Sequence, residues 1–156
     1  MYALLVAIHV LFVVLWVGGM VFAWSYQRPA AATQLDAPQR LRLWVHTFRG
    51  FFPWVWAAVI LLPITGYAMV FSRWDGMGQA PLYVHIMNGL GILMILLFLH
   101  LFFAPYGKLT RAVQVEDWEE GGRQLARIRR TVAVNMILGL VVIAAAVGGR
   151  WLGALH

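Results

Sequence analysis

Residues 2–24 form an apolar run that contains no Asp, Glu, Lys or Arg and only one ionisable side chain, His9. About 20 consecutive apolar residues are enough to cross the hydrocarbon core of a bilayer as a helix. No basic residue precedes the run, and it is long for the apolar part of a signal peptide. The sequence therefore predicts a retained membrane-spanning helix at this end of the chain.

Three further apolar runs follow, at about residues 51–71, 82–104 and 131–148. Hydrophobic residues make up 62% of the chain and charged residues only 12%, about half the usual charged share of a soluble domain. We expect an all-α, integral membrane four-helix up-down bundle, with residues 1–156 in one domain. The excess of basic residues is explained by loops beside lipid headgroups, so we expect membrane lipid and no nucleic acid as a partner.

Most of the twelve Lys and Arg residues lie in the first and third loops between the predicted spans. The positive-inside rule puts these loops in the cytoplasm of a multi-pass protein of the bacterial inner membrane. Both termini are then expected on the outer, periplasmic side. Residues 29–39 are expected to form an exposed loop, whereas the third loop is expected to be helical and broken near Gly121 and Gly122.

Four histidines fall within or beside the predicted spans, and the expected orientation sorts them by depth. His9 and His85 belong to the outer half, while His46 and His100 lie near the inner surface. Imidazoles from facing helices hold haem in four-helix bundles, and haem b needs no cysteine. The pattern favours a b-type haem protein for electron transfer, with His9 and His85 turned inward as iron ligands. Whether His46 and His100 hold a second haem is left open.

Other side chains could complete such a haem site. Asn88, one turn beyond His85, could supply a hydrogen bond, and Trp16 could form a wall. Arg73 on the outer side and Arg130 on the inner side could pair with haem propionates. A quinone or another redox protein would be the partner of such a membrane oxidoreductase, and a homo-oligomer is left open. The alternative is that these histidines only form hydrogen bonds between helices.

Copper binding through imidazole and thioether groups is the competing hypothesis. The methionines of the spans show no Met-x-x-Met spacing, and dispersed methionine is more typical of filler in an apolar core. These residues are Met20, Met69, Met87, Met94 and Met136.

Residues 9–24, HVLFVVLWVGGMVFAW, combine a His, a Trp seven residues later, a Gly-Gly pair and an aromatic residue. This pattern resembles the first helix of the CopD-like and HemJ-like membrane proteins. The resemblance continues in the layout of RLRLWVHTFRGFFPWVW, APLYVHIMNGLG and GGRQLARIRRTVAVN. A CopD-like protein would act in copper uptake or resistance. A HemJ-like protein would be a haem-binding protoporphyrinogen oxidase, with His9 as the histidine of its first helix.

The predicted orientation can be tested with one substitution, because the chain contains no cysteine. In a Leu35→Cys variant the single thiol would lie in the first loop, on the cytoplasmic side. We expect a membrane-impermeant maleimide to leave this thiol unlabelled in intact cells and to label it once the cells are permeabilised. Labelling in intact cells would reverse the orientation.

Overall fold

Four long helices make up the chain in the computed structural model, which describes residues 1–152 and the side chains as far as residue 149. We number them α1 (Tyr2–Gln34), α2 (Ala37–Trp74), α3 (Leu82–Gln114) and α4 (Trp118–Leu152).

Each of these helices is long and apolar enough to cross a membrane. Inside a bilayer every backbone N–H and C=O must find its partner within the protein, and a helix meets this condition within a single segment. The predicted all-α class with four spanning helices is confirmed, and the exposed apolar side chains around the bundle contact lipid. The side on which the termini lie stays a prediction. Residues 153–156 of the expected single domain lie outside the described residues.

Two helices pass through a short π-helical turn and then continue. In α1 this turn is Ala23–Gln27, and the segment Arg28–Gln34 after it is helical, so the prediction of an exposed loop from residue 29 is wrong. In α3 the turn is Phe102–Tyr106 and contains Pro105, the residue directly after the predicted end of this span at residue 104. Proline lacks an N–H, and the wider π turn lets the helix continue past it.

Side-chain caps mark the starts of α2 and α4. Asp36 caps α2 by accepting a hydrogen bond from the Gln39 backbone N–H at 2.8 Å. The break in the third loop lies just before α4, where Glu116 has a φ of 58° and Asp117 accepts from the Glu120 N–H at 2.9 Å. The break expected near the two glycines is therefore wrong. Gly121 lies inside α4, at a point where an added Cβ would be 3.0 Å from Leu41 Cδ1.

The bundle is packed differently in its two halves. α1 packs mainly on α2, and α3 mainly on α4. In the half that contains the connection from α3 to α4, aromatic rings fill the space between α2 and α3. Phe52 lies at their centre, with ring centroids 5.1 Å from Phe48, 4.8 Å from Tyr106 and 5.6 Å from Phe98. In the other half no such cluster of described residues fills the space between these two helices, and a cavity opens there.

Gly18 and Gly19 are neighbours in α1 with different surroundings. A Cβ at Gly19 would lie 2.5 Å from Phe51 Cε2, whereas nothing lies within 4 Å of a Cβ at Gly18. We expect Gly19→Leu to lower the free energy of unfolding by about 1–3 kcal/mol, because it overfills a packed helix interface. Gly18→Leu is the matched control and should change it by less than about 0.5 kcal/mol. Thermal unfolding in detergent, followed by tryptophan fluorescence, compares them; equal midpoints would contradict this packing.

Candidate functional site

A cavity of about 270 Å³ lies between the helices at the end of the bundle that contains the start of α1 and the connection from α2 to α3. Along α1 its lining runs from Tyr2 to Val17, about 22 Å along the helix axis. No Asp, Glu, Lys or Arg is among the described residues that line it. Following the predicted orientation, we call it the outer cavity and define it by residues from all four helices: His9, Trp16, Tyr67, Met87, Asn88 and Gly139.

His9 is held by a hydrogen bond to Thr65, which is buried. The Nδ1 atom lies 2.8 Å from Thr65 Oγ1, and the Thr65 hydroxyl donates to the Leu61 carbonyl oxygen at 2.6 Å. Because the hydroxyl has only one proton to donate, Thr65 Oγ1 accepts from His9 Nδ1–H. The lone pair of the neutral imidazole is then on Nε2. Metal-binding histidines use this arrangement, in which one ring nitrogen is fixed by a hydrogen bond and the other is free to bind.

The segment of α2 that faces His9 has small and polar side chains. Thr65 provides the acceptor, and its own hydroxyl bonds to the carbonyl one turn earlier, as threonine commonly does within a helix. Gly66 provides room, because a Cβ there would lie 3.4 Å from His9 Cε1. Sequence analysis missed both residues, since only the packing of α1 against α2 reveals that they face His9.

Four methionines line the outer cavity: Met69, Met77, Met87 and Met94. They belong to α2, to the turn Met77–Gln79 and to α3, which explains why they show no short spacing in the sequence. Thioether and imidazole groups together suit copper. Within the described residues, no group of three or more His, Cys, Asp or Glu side chains could hold a metal ion. A metal in this cavity would therefore depend on the thioethers.

Met77 is the cavity residue whose position sequence analysis missed most clearly, because it lies between two spans. The spacing of Met87 and Met94 gave a usable signal. They are seven residues apart and therefore share a face of α3. Asn88 lies next to Met87, and its Oδ1 accepts a hydrogen bond from the Tyr67 hydroxyl at 3.0 Å, which joins α2 and α3 across the cavity.

The other histidines of the described residues lie elsewhere. His85, His46 and His100 are all exposed, and none of them lines the outer cavity or the second cavity described below. His85 thus lies on the exposed face of α3 and is not turned into the bundle beside His9. Arg73 and Arg130 are also exposed. The structure brings His9, Asn88 and Trp16 to one cavity, whereas ligand roles for the exposed residues stay predictions.

A second cavity, of about 210 Å³, lies further along the bundle and is called the inner cavity. Trp16 lines both cavities. Asn135 is only 4% exposed, and its Nδ2 donates to the Met94 carbonyl oxygen at 3.2 Å. Its Oδ1 has no hydrogen-bond partner among the described residues. The inner cavity is defined by Trp16, Met20, Gln27, Thr47, Phe98 and Asn135.

Comparison with known protein families gives a match over about two thirds of the chain. The model of a family described as CopD, Copper resistance protein D, matches residues 45–148. This part of the chain contains the cavity walls contributed by α2, α3 and α4, while His9 lies outside it. No curated protein and no solved structure matches the chain.

The hydrogen bond to Thr65 predicts the tautomer of His9. We expect the proton of the neutral imidazole on Nδ1 and the lone pair on Nε2, because Thr65 Oγ1 is the acceptor. Nitrogen-15 NMR of histidine-labelled protein distinguishes the two tautomers, and the signal that is missing from a His9→Ala variant identifies His9. A proton found on Nε2 would contradict the arrangement.

Proposed function

The chain belongs to the CopD family, and from this premise we propose that it binds Cu(I) in the outer cavity as part of moving copper across the membrane. The family and the four apolar helices identify a multi-pass protein of the bacterial inner membrane. The CopD-like resemblance of the sequence is confirmed. The observation that carries the proposal is that His9 and four methionines converge on one uncharged cavity.

The chemistry of this cavity fits Cu(I) better than a hard cation. Thioether sulfur is a soft ligand that selects Cu(I), and imidazole nitrogen also binds copper. Ca²⁺ and Mg²⁺ require several oxygen ligands and commonly carboxylates, whereas this lining contains no carboxylate. A singly charged ion also costs less to place among apolar side chains than a divalent one.

The positions of the donors suggest an order in which copper meets them. Met77 belongs to the connection between α2 and α3, at the end of the cavity nearest the membrane surface. Met87 and Met94 lie on α3, with Met94 deeper by about 10 Å along the helix axis. His9 would contribute Nε2, and Thr65 would keep the ring in place. We propose that copper enters beside Met77 and moves inward to His9 and Met94.

The haem hypothesis lacks the pair of ligands on which it was based. A b-type haem between facing helices takes an imidazole from each side. Among the histidines whose side chains are described, His9 alone lines either cavity. The same missing second ligand counts against electron transfer to a quinone or redox protein. It also counts against protoporphyrinogen oxidation, which the HemJ-like resemblance suggested. The family match also supports copper.

Substitution of His9 tests the proposal. We expect wild-type protein in lipid nanodiscs to take Cu(I) from a competing chelator under anaerobic conditions. His9→Ala should weaken this binding at least about tenfold, because it removes the nitrogen ligand. Thr65→Val should weaken it by about 10–100-fold, because the ring loses the hydrogen bond that orients it. Both variants should still insert, since each makes its span more apolar.

His85→Ala is the matched control, because it removes an exposed histidine of a spanning helix and should leave Cu(I) affinity unchanged. Wild-type affinity in His9→Ala, or an equal loss in His85→Ala, would contradict the proposal. The absorption spectrum of protein made with adequate haem tests the alternative. A Soret band that is stoichiometric with protein and disappears in His9→Ala would favour haem over copper.

A further inference from the structure

The inner cavity has an aromatic wall and no charged side chain among the described residues that line it. The rings of this wall belong to Trp16, Phe22, Phe48, Phe51, Phe52 and Phe98. The cavity has a volume of about 210 Å³. An apolar cavity of about 150 Å³ is already large enough to bind one benzene ring. The inner cavity therefore has room for a single aromatic ring with a small substituent, and the rings around it favour edge-to-face contacts.

Asn135 is the polar residue of this wall whose hydrogen bonds are incomplete. It is only 4% exposed, and its Nδ2 donates to the Met94 carbonyl oxygen at 3.2 Å. Its Oδ1 has no partner among the described residues, which is costly in an apolar interior unless a donor binds there. The other amide and hydroxyl side chains of the lining, Gln27 and Thr47, bond to each other at 2.7 Å. A ligand that suits this wall must therefore supply a hydrogen-bond donor.

The inner cavity reaches the lipid-facing surface of the bundle. Phe22 lines the cavity and is 59% exposed. The exposed apolar side chains around the bundle contact lipid, so the cavity and the bilayer adjoin beside this ring. A molecule dissolved in the bilayer can enter there without passing a charged loop. Such a molecule must itself be neutral, because a charge is costly to place in the hydrocarbon core.

We infer that the inner cavity binds a phenol dissolved in the membrane, with its ring among the aromatic side chains and its hydroxyl donating to Asn135 Oδ1. A phenol combines the three properties that the cavity requires, because it is neutral, has one flat ring and carries an O–H donor. A ring without a donor would leave the amide oxygen unpaired. This inference does not depend on the binding of Cu(I) in the outer cavity.

Two ligands of nearly the same shape test the role of the donor. Para-fluorophenol carries the hydroxyl, whereas para-fluorotoluene has a methyl group in its place. We expect wild-type protein in lipid nanodiscs to bind para-fluorophenol saturably, and about tenfold more tightly than para-fluorotoluene, because only the phenol pairs the Asn135 oxygen. Fluorine NMR measures both affinities, referred to the ligand concentration in the lipid, and empty nanodiscs give the background from partition into lipid.

Substitutions in the two cavities locate the binding site. Asn135→Leu should weaken binding of para-fluorophenol about tenfold and should not weaken binding of para-fluorotoluene, because it removes the acceptor. Val134→Leu is the matched control, since Val134 is the neighbouring residue of α4, is 49% exposed and does not line the cavity. His9→Ala removes the free acceptor of the outer cavity. Both controls should retain the preference for the phenol.

Equal affinity of wild-type protein for the two ligands would overturn the inference and leave Asn135 Oδ1 to water alone. This comparison decides the matter even if Asn135→Leu fails to fold. A preference that survives in Asn135→Leu, or one that is lost in His9→Ala instead, would also overturn it, because the phenol would then bind elsewhere. None of these results bears on Cu(I) affinity, which is measured separately.

Discussion

The membrane interior provides no hydrogen-bond partners, and this constraint accounts for both the fold and the candidate site. It requires helices, because they pair their own backbone groups. It also requires polar side chains within the spans to find partners in the bundle. His9 therefore bonds to Thr65, which bonds to the Leu61 carbonyl, and Asn135 bonds to the Met94 carbonyl. The ring nitrogen that the first of these bonds leaves free, His9 Nε2, is the one to which we assign binding.

Packing determines where space for a ligand remains. The aromatic cluster around Phe52 closes the inner half of the contact between α2 and α3, while the outer half stays open as a cavity. Close approach of α4 limits the depth of that cavity. Gly139 makes this possible, since a Cβ there would come within 2.7 Å of Val17 Cγ2. Close aromatic packing between α2 and α3 in one half of the bundle, and a cavity between them in the other half, thus belong to the same arrangement of four helices.

Sequence alone predicted the four spanning helices and singled out His9 as a candidate ligand turned into the bundle. Both depend on local features, namely the length of an apolar run and an isolated ionisable group within it. It placed the break of the third loop at glycines, although the cap formed by Asp117 decides it. It also paired His85 with His9. The spacing of His85 and His100 shows that they lie near one face of α3, but it does not show whether that face points into the bundle or away from it. Met77 meets residues of α2 and α3 only through tertiary packing, so no spacing in the sequence reveals it as part of the cavity. The same holds for the hydrogen bond between Thr65 and His9.

The most direct test of the central claim is X-ray absorption at the copper edge on protein loaded with Cu(I), because it identifies the atoms bound to the ion. The account predicts sulfur together with an imidazole nitrogen around copper, as expected for thioethers beside His9. A copper environment that contains only nitrogen and oxygen would contradict it, because the methionines of the outer cavity would then take no part in binding.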